Sequence, residues 1–177
     1  LPARLAEEAS KFIEEERDGP WLCYLSFYSV HTPLMGREDL VKKYEEKRVR
    51  LELEAQWGKE GKRKVREVQE HAVYAAMVAA MDEAVGDVLA ALERSGQAEN
   101  TIVVFFSDNG GLSTSEGHPT SNLPLRAGKG WLYEGGVREP CAVRWPGRIP
   151  AGSTLRAPVQ SVDFFPTLLS AAGVELP

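Results

Sequence analysis

The chain has 177 residues, a formal net charge of −5 and a 43% share of hydrophobic residues. This length can bury one sizeable core, so we expect a single domain. The mildly acidic balance gives no support for a nucleic-acid partner. No apolar stretch approaches the roughly 20 residues that a membrane span needs, so we also expect no membrane segment. The two cysteines, Cys23 and Cys141, lie in apolar stretches and are predicted to be buried free thiols.

The N-terminal part is predicted to form a helix and then a strand. Leu1 to Asp18 carries an amphipathic stripe of Leu5, Ala9, Phe12 and Ile13. Residues 21–30, WLCYLSFYSV, are rich in aromatic residues and favour a strand. Pro33 ends that strand, which places His31 at its terminus. At this point a structural and a functional role for His31 are equally open.

The middle of the chain changes from a charged segment to an apolar one. Residues 36–70 hold eleven of the 21 Lys and Arg residues, nearly matched by acids, and predict one or two exposed helices around Trp57. A long buried helix is predicted from His71 to the Ser95-Gly96 cap, and His71 itself is expected to lie at the helix edge without a role. The apolar stripe of this helix comprises Val73, Met77, Ala80, Met81, Ala84, Val85, Val88 and Leu92.

The segment TIVVFFSDNGG, Thr101 to Gly111, is the main candidate for a functional site. Its apolar run predicts an interior parallel strand buried on both faces, and open α/β sheets bind ligands at the carboxyl ends of such strands. Asp108 and Asn109 follow this strand and offer the oxygen ligands of a hard cation. We interpret the pair as half of a metal site. The alternative is a hairpin turn, with Asp108 in an Asx turn.

The chain then continues through a long polar loop to a lysine between two glycines. Loops of this length, here Leu112 to Lys129, are usually functional. Gly128 and Gly130 would let a ligand approach Lys129 closely, although a surface lysine in a flexible loop is the alternative. The rest of the chain predicts a strand at Cys141–Trp145, another at Gly152–Gln160, and a final helix at Phe164–Ala172 capped by Asp163.

Five segments in order resemble the sulfatases of the alkaline-phosphatase-like superfamily: SFYSVHTPL, MDEAVGDVL, TIVVFFSDNGG, SNLPLRAGKGWLYEGGVREP and VDFFPTLLSAAGV. The resemblance implies an α/β fold with a mainly parallel sheet flanked by helices. It also implies hydrolysis of a sulfate ester at the S–O bond, with a formylglycine nucleophile and Ca²⁺. A periplasmic or secreted location accords with the family.

The resemblance also assigns roles to individual residues. Asp108 and Asn109 would be two of the Ca²⁺ ligands. Lys129 would contact a sulfate oxygen and stabilise the charge that develops during transfer. His31 would lie beside the sulfate and help to bind it, and His118 would face the substrate. Because calcium prefers carboxylate and amide oxygens, the pair Asp108 and Asn109 suits this ion better than zinc.

The chain also departs from the family pattern. Neither Cys23 nor Cys141 lies in a Cys-x-Pro-x-Arg segment, no serine takes that place, and the paired aspartates of the metal site are absent. We therefore expect residues 1–177 to form a single partial catalytic domain that lacks the N-terminal nucleophile segment and the C-terminal subdomain. Formylglycine is expected only in the missing N-terminal part. The chain alone is expected to be inactive and to associate with itself through an exposed sheet edge.

Two other functions stay open. A phosphodiesterase or phosphonate hydrolase of the same superfamily is one, although such relatives more often carry histidine where Asn109 stands. A truncated, non-catalytic module that binds a partner or nothing is the other.

Overall fold

The computed structural model describes residues 1–176, in which helices and short strands alternate. The helices are α1 (Pro2–Glu14), α2 (Glu38–Arg50), α3 (Ala72–Arg94), α4 (Glu134–Val137) and α5 (Phe164–Ala171). The strands are β1 (Trp57–Glu60), β2 (Arg63–Arg66), β3 (Val103–Phe106) and β4 (Cys141–Arg144). Short 3₁₀ turns lie at Ala98–Asn100 and Ser161–Asp163. The fold is thus α/β, as predicted.

The core lies where α1 and α2 pack against the long helix α3. Ile13 of α1 and Leu92 of α3 are both buried and pack together with Ala98. Trp21 covers this cluster, and its Nε1 donates a hydrogen bond to Oε1 of Gln97 at 2.7 Å. The predicted α1 stripe is therefore confirmed, because a helix with one apolar face is stabilised mainly by packing that face.

Helix α3 begins and ends at the predicted residues. Ser95 is its C-cap, and Gly96 follows in a left-handed conformation with φ of 71°. His71 is the N-cap, where its Nδ1 accepts a hydrogen bond from the backbone N–H of Tyr74 at 3.4 Å. His71 lies at the helix edge, as predicted, and its ring caps the helix there; that it has no part in the chemistry of a site stays a prediction.

The charged segment forms one exposed helix, α2, and then a hairpin in place of a second helix. Strands β1 and β2 pair antiparallel, with Trp57 opposite Arg66 and Lys59 opposite Lys64. Gly61 adopts φ of 57° in the connecting turn, a conformation that glycine accepts without strain. The helix predicted around Trp57 was therefore wrong, since the left-handed turn at Gly61 reverses the chain and brings the two short charged segments into antiparallel pairing.

The predicted parallel sheet is not observed. Strand β3 pairs antiparallel with β4, with Val103 opposite Arg144 and Phe106 opposite Cys141. The two sheets found within residues 1–176 are both two-stranded and antiparallel. The predicted burial of the strand on both faces was also wrong, since Phe105 is 39% exposed. A strand becomes buried only when neighbours cover its faces, and no further strand flanks β3 in the described part of the chain.

Two predicted strands are absent from the described structure. Residues 21–28 alternate between half-buried and exposed side chains, the period expected of a strand, but no partner pairs with them. Residues 152–160 are irregular and exposed.

Cys23 and Cys141 are free, as predicted, but Cys23 is only half-buried and Cys141 is exposed. Burial raises the pKa of the Cys23 thiol.

The C-terminal helix α5 packs on the strand that leads to the candidate site. The rings of Phe106 and Phe164 meet edge to face with centroids 4.9 Å apart. Asp163 precedes α5 as predicted, but its carboxylate accepts a hydrogen bond from the backbone N–H of Gln160 at 2.7 Å and so caps the preceding 3₁₀ turn. Among the described helices, none combines the length and apolar character that crossing a membrane requires.

Candidate active site

The turn after β3 presents the two predicted metal ligands to solvent. The backbone N–H of Ser107 donates to the carbonyl of Pro140 at 3.0 Å, which extends the β3–β4 pairing to the start of the turn. Asp108 and Asn109 follow and are exposed. Nδ2 of Asn109 donates to Oδ2 of Asp108 at 2.7 Å, so the two side chains lie together. The amide oxygen of Asn109 and Oδ1 of Asp108 take no part in this bond.

The turn packs directly against helix α4. Gly110 has φ of 85°, a left-handed conformation, and a Cβ on it would collide with the carbonyl oxygen of Gly135 and with Cα of Gly136. Only glycine permits both the conformation and the contact. The turn that carries Asp108 and the helix that follows Lys129 are therefore joined backbone to backbone.

The loop that carries Lys129 is bonded to the same turn. The backbone N–H of Lys129 donates to the carbonyl of Gly111 at 3.1 Å. Nδ2 of Asn122 donates to the carbonyls of Gly111 at 2.9 Å and Ala127 at 2.8 Å, and Oγ of Ser113 donates to Ala127 at 2.9 Å. Asn122 therefore ties the two ends of the loop together. The SNLPL segment belongs to the family resemblance, but the sequence analysis did not select this asparagine.

Lys129 and His31, which are 98 residues apart in sequence, lie in direct contact. Nζ of Lys129 is 3.1 Å from Nε2 of His31. Nδ1 of His31 is 2.9 Å from the carbonyl oxygen of Thr32. A carbonyl oxygen only accepts, so Nδ1 carries the proton and Nε2 accepts from the lysine ammonium. Oγ1 of Thr32 donates to Glu116 at 3.2 Å, which links the His31 segment to the tip of the polar loop.

His118 lies further along this loop and faces the β1–β2 hairpin. Its ring meets the Trp57 ring edge to face, with centroids 5.7 Å apart, and Nε of Arg66 donates to its carbonyl oxygen. Within residues 1–176 no hydrogen bond joins His118 to His31 or Lys129. His118 has φ of 52°, and such backbone strain in non-glycine residues is typical of functional loops.

Glu139 is a half-buried carboxyl beside the turn that sequence reasoning did not select. Oγ of Ser107 donates to its Oε2 at 3.3 Å, whereas its buried Oε1 has no hydrogen-bond partner in the described structure. Burial raises the pKa of Glu139, and the neighbouring charge of Asp108 raises it further. One feature of the sequence could have identified Glu139: it lies in the GVREP segment, at the end of the family motif that also contains Lys129.

The donor chemistry of the turn fits a hard cation, but the number of donors is too small. Asp108 and Asn109 supply carboxylate and amide oxygens, the ligand types that Ca²⁺ prefers. Calcium takes roughly six to eight oxygens. In the described part of the chain no group of three or more His, Cys, Asp or Glu side chains could hold a metal ion.

The concave surface lined by Trp145, Arg148, Pro166 and Thr167 includes none of the predicted site residues.

Comparison with known proteins places the chain in a family. The sulfatase family model matches residues 1–174. A sulfatase of Formosa agariphila is 39% identical over 169 residues, which is 90% of this chain and 27% of that protein. The steryl-sulfatase of Rattus norvegicus is 36% identical over 182 residues, which covers 100% of this chain and 27% of that protein. The chain therefore belongs to the sulfatase family.

The fold of a solved structure agrees with this assignment. The crystal structure of Ps i-CgsB in complex with k-i-k-neocarrahexaose superposes with a TM-score of 0.81 and 31% sequence identity. The match covers 100% of this chain and 35% of that chain. The chain thus spans about a quarter of the length of the curated relatives that it matches.

Proposed function

We propose that the chain is the part of a sulfuric ester hydrolase that binds the sulfate group of the substrate and supplies part of a calcium site. The observation that carries this proposal is the contact between Lys129 and His31, beside the turn of Asp108 and Asn109. One ammonium and one imidazole at 3.1 Å form a pair suited to bind an anion. The backbone bond from Lys129 to Gly111 fixes this pair relative to the turn.

The two side chains have complementary tasks in this proposal. When a sulfate group binds, the ammonium of Lys129 donates to one of its oxygens and stabilises the negative charge that develops as the S–O bond breaks. His31 holds a second oxygen once its Nε2 carries a proton, which solvent supplies. The bond from Nδ1 of His31 to the carbonyl of Thr32 holds the ring in place throughout.

Asp108 and Asn109 would hold the calcium ion with their free oxygens. A bound Ca²⁺ supplies charge that polarises the sulfate oxygens. The Asn109 amide points to sulfate rather than phosphate esters, since the phosphodiesterase relatives more often carry histidine there. Glu139 is half-buried and accepts a hydrogen bond from Oγ of Ser107. This bond keeps the turn in position.

We further propose that strands outside this chain complete the sheet and the site. The exposure of Val104, Phe105 and Phe106 and the unpaired alternating segment 21–28 support this, because both surfaces lack partners that an α/β sheet would provide. The nucleophile and the other calcium ligands would come from the same missing part. The mainly parallel sheet implied by the family resemblance belongs to that larger assembly.

The test compares the chain with the longer protein from which it would derive. The 177-residue chain is expected to show no hydrolysis of p-nitrophenyl sulfate with or without Ca²⁺. The sequence encoded upstream of Leu1 is expected to contain a Cys-x-Pro-x-Arg or Ser-x-Pro-x-Arg segment preceded by paired aspartates. The longer protein should hydrolyse the sulfate ester faster than p-nitrophenyl phosphate.

Matched variants sharpen this test. In the longer protein, Lys129→Met should reduce kcat/KM by about 10²-fold or more, because a donor to the transferring group is lost. Lys47→Met, on the exposed face of α2, should leave the rate unchanged. Calcium-dependent turnover by the 177-residue chain alone would overturn the division of the site between this chain and a missing part.

A further inference from the structure

The segment that carries His31 has few hydrogen bonds to the rest of the protein. Residues 22–35 form no helix and no paired strand. Among the described residues, two hydrogen bonds tie this segment to distant parts of the chain. One joins His31 to Lys129, and the other joins Thr32 to Glu116. Two neighbouring residues of an irregular segment are thus fastened side by side.

Both contacts reach the same polar loop, at two separate points. Lys129 lies at the end of this loop, and Glu116 lies thirteen residues earlier, at its tip. Asn122 lies between them and donates to the carbonyls of Gly111 and Ala127, so the loop is held as one unit. A segment that is attached to a rigid unit at two points cannot rotate about either contact alone. The second contact therefore fixes the orientation of the segment as well as its position.

The tip of the loop holds Glu116 in an unusual backbone conformation. Residues 116–118 are all left-handed, with φ of 50°, 85° and 52°. The backbone N–H of His118 donates to a carbonyl three residues earlier at 2.9 Å and closes this turn. A left-handed conformation is costly for a residue with a Cβ and persists only where the surroundings enforce it. The flanking residues 112–114 and 119–121 are buried and supply that support.

The hydrogen bonds that lead from Lys129 to Glu116 all run in one direction. Nζ of Lys129 donates to Nε2 of His31, and Nδ1 of His31 donates to the carbonyl of Thr32. Oγ1 of Thr32 lies 3.4 Å from the same Nδ1 and donates its hydrogen to Oε2 of Glu116 at 3.2 Å. A hydroxyl has one hydrogen, so the Thr32 oxygen offers Nδ1 a lone pair. Glu116 therefore turns this hydroxyl so that it supports the proton on Nδ1.

We propose that Glu116 is a positioning residue, which acts through Thr32 to hold the His31 ring beside Lys129 for binding of one sulfate group. This inference rests on the proposed function and adds a residue to its site. Two donors that grip one small anion must both lie at hydrogen-bond distance from it, and a misplacement of about 1 Å costs about 10²-fold in rate. In this role Glu116 contacts the threonine hydroxyl and not the sulfate.

The unmodified 177-residue chain gives a result that does not depend on how a variant folds. Proton NMR should show nuclear Overhauser contacts between the side chains of Thr32 and Glu116, because their oxygens lie 3.2 Å apart. Nitrogen NMR should show Nε2 of His31 at the resonance of a nitrogen that accepts a hydrogen bond. If contacts between Thr32 and Glu116 were absent, the proposal would be overturned.

Variants with equal charge change test the link. Glu116→Ala removes the acceptor and should shift the Nε2 resonance of His31 towards its value in Lys129→Met, where no ammonium donates. Glu116→Gln retains an acceptor oxygen and should restore the wild-type resonance. The control is Glu52→Ala, which also removes an exposed glutamate from a left-handed residue, with φ of 51°. An equal shift in the control, or no recovery with glutamine, would overturn the proposal.

The threonine hydroxyl is tested separately. Thr32→Val removes the hydroxyl but retains the carbonyl that accepts from Nδ1 of His31. It should shift the Nε2 resonance as Glu116→Ala does, and the double variant should shift it no further, because both substitutions break one link. The variants should melt within about 2 °C of the wild type, since exposed hydrogen bonds contribute little to the free energy of unfolding. A larger fall in Tm would make the role of Glu116 structural and overturn the proposal.

Kinetics of the longer protein relate this positioning to the reaction. For p-nitrophenyl sulfate, Glu116→Ala should lower kcat/KM about tenfold, whereas Glu116→Gln should lower it less than about threefold and Glu52→Ala less than about twofold. In a Lys129→Met background, Glu116→Ala should cause no further loss, because no pair is left to position. If the ester were not hydrolysed while the NMR shifts held, the proposed function would fail and the positioning role would stand. If Glu116→Ala hydrolysed the ester at the wild-type rate, the positioning role would fail and the proposed function would stand.

Discussion

Lys129 donates a hydrogen bond from Nζ to Nε2 of His31 across 3.1 Å, and this contact fixes the proton on the other ring nitrogen. The Nδ1–H donates a hydrogen bond to the carbonyl oxygen of Thr32, with 2.9 Å between nitrogen and oxygen. Two residues far apart in sequence thus provide each other with a hydrogen-bond partner. The ring is held with one nitrogen directed at the backbone and the other at the lysine.

A first prediction concerns this tautomer. In the wild-type chain at pH 8, nitrogen NMR should show the Nδ1 of His31 protonated and Nε2 unprotonated. Lys129→Met removes the donor to Nε2 but leaves the bond from Nδ1 to the Thr32 carbonyl, so the Nδ1–H tautomer should persist while the Nε2 resonance shifts to that of a nitrogen without a hydrogen-bond donor. Lys47→Met, on the exposed face of α2, should leave the His31 signals in place. An unchanged Nε2 resonance in Lys129→Met would contradict the hydrogen bond.

A second prediction concerns the asparagine that ties the polar loop. Asn122→Ala leaves the carbonyls of Gly111 and Ala127 without this donor, and the loss should cost about 2 kcal/mol of unfolding free energy. For a chain of this size that corresponds to a fall in Tm of roughly 4–8 °C. Circular dichroism melts would measure it. Asn100→Ala, at an exposed site, should change Tm little, and equal effects of the two substitutions would refute the proposed anchor.

A third prediction concerns pH and the N-cap of α3. Burial lowers the pKa of His71, and the charge of Arg66 lowers it further. The unfolded chain gains a proton near pH 6.5, whereas the folded chain gains one only at lower pH. Between these values the unfolded state binds more protons, so this residue contributes stability above pH 6.5 that is lost as the pH falls.

Urea unfolding of two variants isolates this effect. His71→Asn keeps a capping side chain and should lose less stability than the wild type between pH 7.5 and 5.5. His71→Ala should have the same shallow pH dependence as His71→Asn. Its free energy of unfolding should be about 0.5–1 kcal/mol lower than that of His71→Asn at every pH, because the capping side chain is gone. A pH dependence that is identical in the wild type and both variants would rule out His71 as its source.

A fourth prediction concerns the uncovered sheet. Phe105 is 39% exposed on β3, and β3 pairs only with β4 in the described structure, so its second edge is open for association with another chain. The 177-residue chain should therefore form dimers or larger species at tens of micromolar in sedimentation experiments. Phe105→Lys should shift it towards monomer, whereas Leu132→Lys, at a 94% exposed position, should not. A monomeric wild-type chain at high concentration would count against this surface as the site of association.

A fifth prediction concerns calcium. Two adjacent side chains supply too few oxygens for tight binding, so 5 mM Ca²⁺ should raise the Tm of the 177-residue chain by less than about 1 °C. Asp108→Asn should not alter this small response in the chain. In the longer protein the same substitution should weaken calcium binding markedly, as measured by equilibrium dialysis. A rise of several degrees in the chain that depends on Asp108 would show that the chain holds the ion unaided.

The sequence predicted the helices well and the sheet poorly, for a physical reason. The apolar stripes of α1 and α3 face each other, so each finds its partner within the described residues. The segment at Thr101 to Phe106 was recognised as a strand, but nothing in its residues named Cys141 to Arg144 as its antiparallel neighbour. The hairpin at Trp57 was missed because its charges imitate an exposed helix.

The site residues show the same division. The positions of Asp108 and Asn109 after a strand followed from the local pattern of apolar residues and glycines. The contact between Lys129 and His31 joins distant segments, and only the family resemblance brought the two into one site. Asn122 and Glu139 were overlooked because each acts through backbone groups or a neighbouring hydroxyl, and no local pattern marks such partners.

The bare backbone contact between Gly110 and Gly135 has a consequence for protein engineering. No pliable side chain separates the two peptide segments, so Asp108 and the Lys129 loop are expected to shift as one rigid block. Attempts to retune substrate preference by altering this junction would disturb both halves at once. Mutant libraries are better directed at exposed side chains outside the block, such as Lys59 and Lys64 of the β1–β2 hairpin.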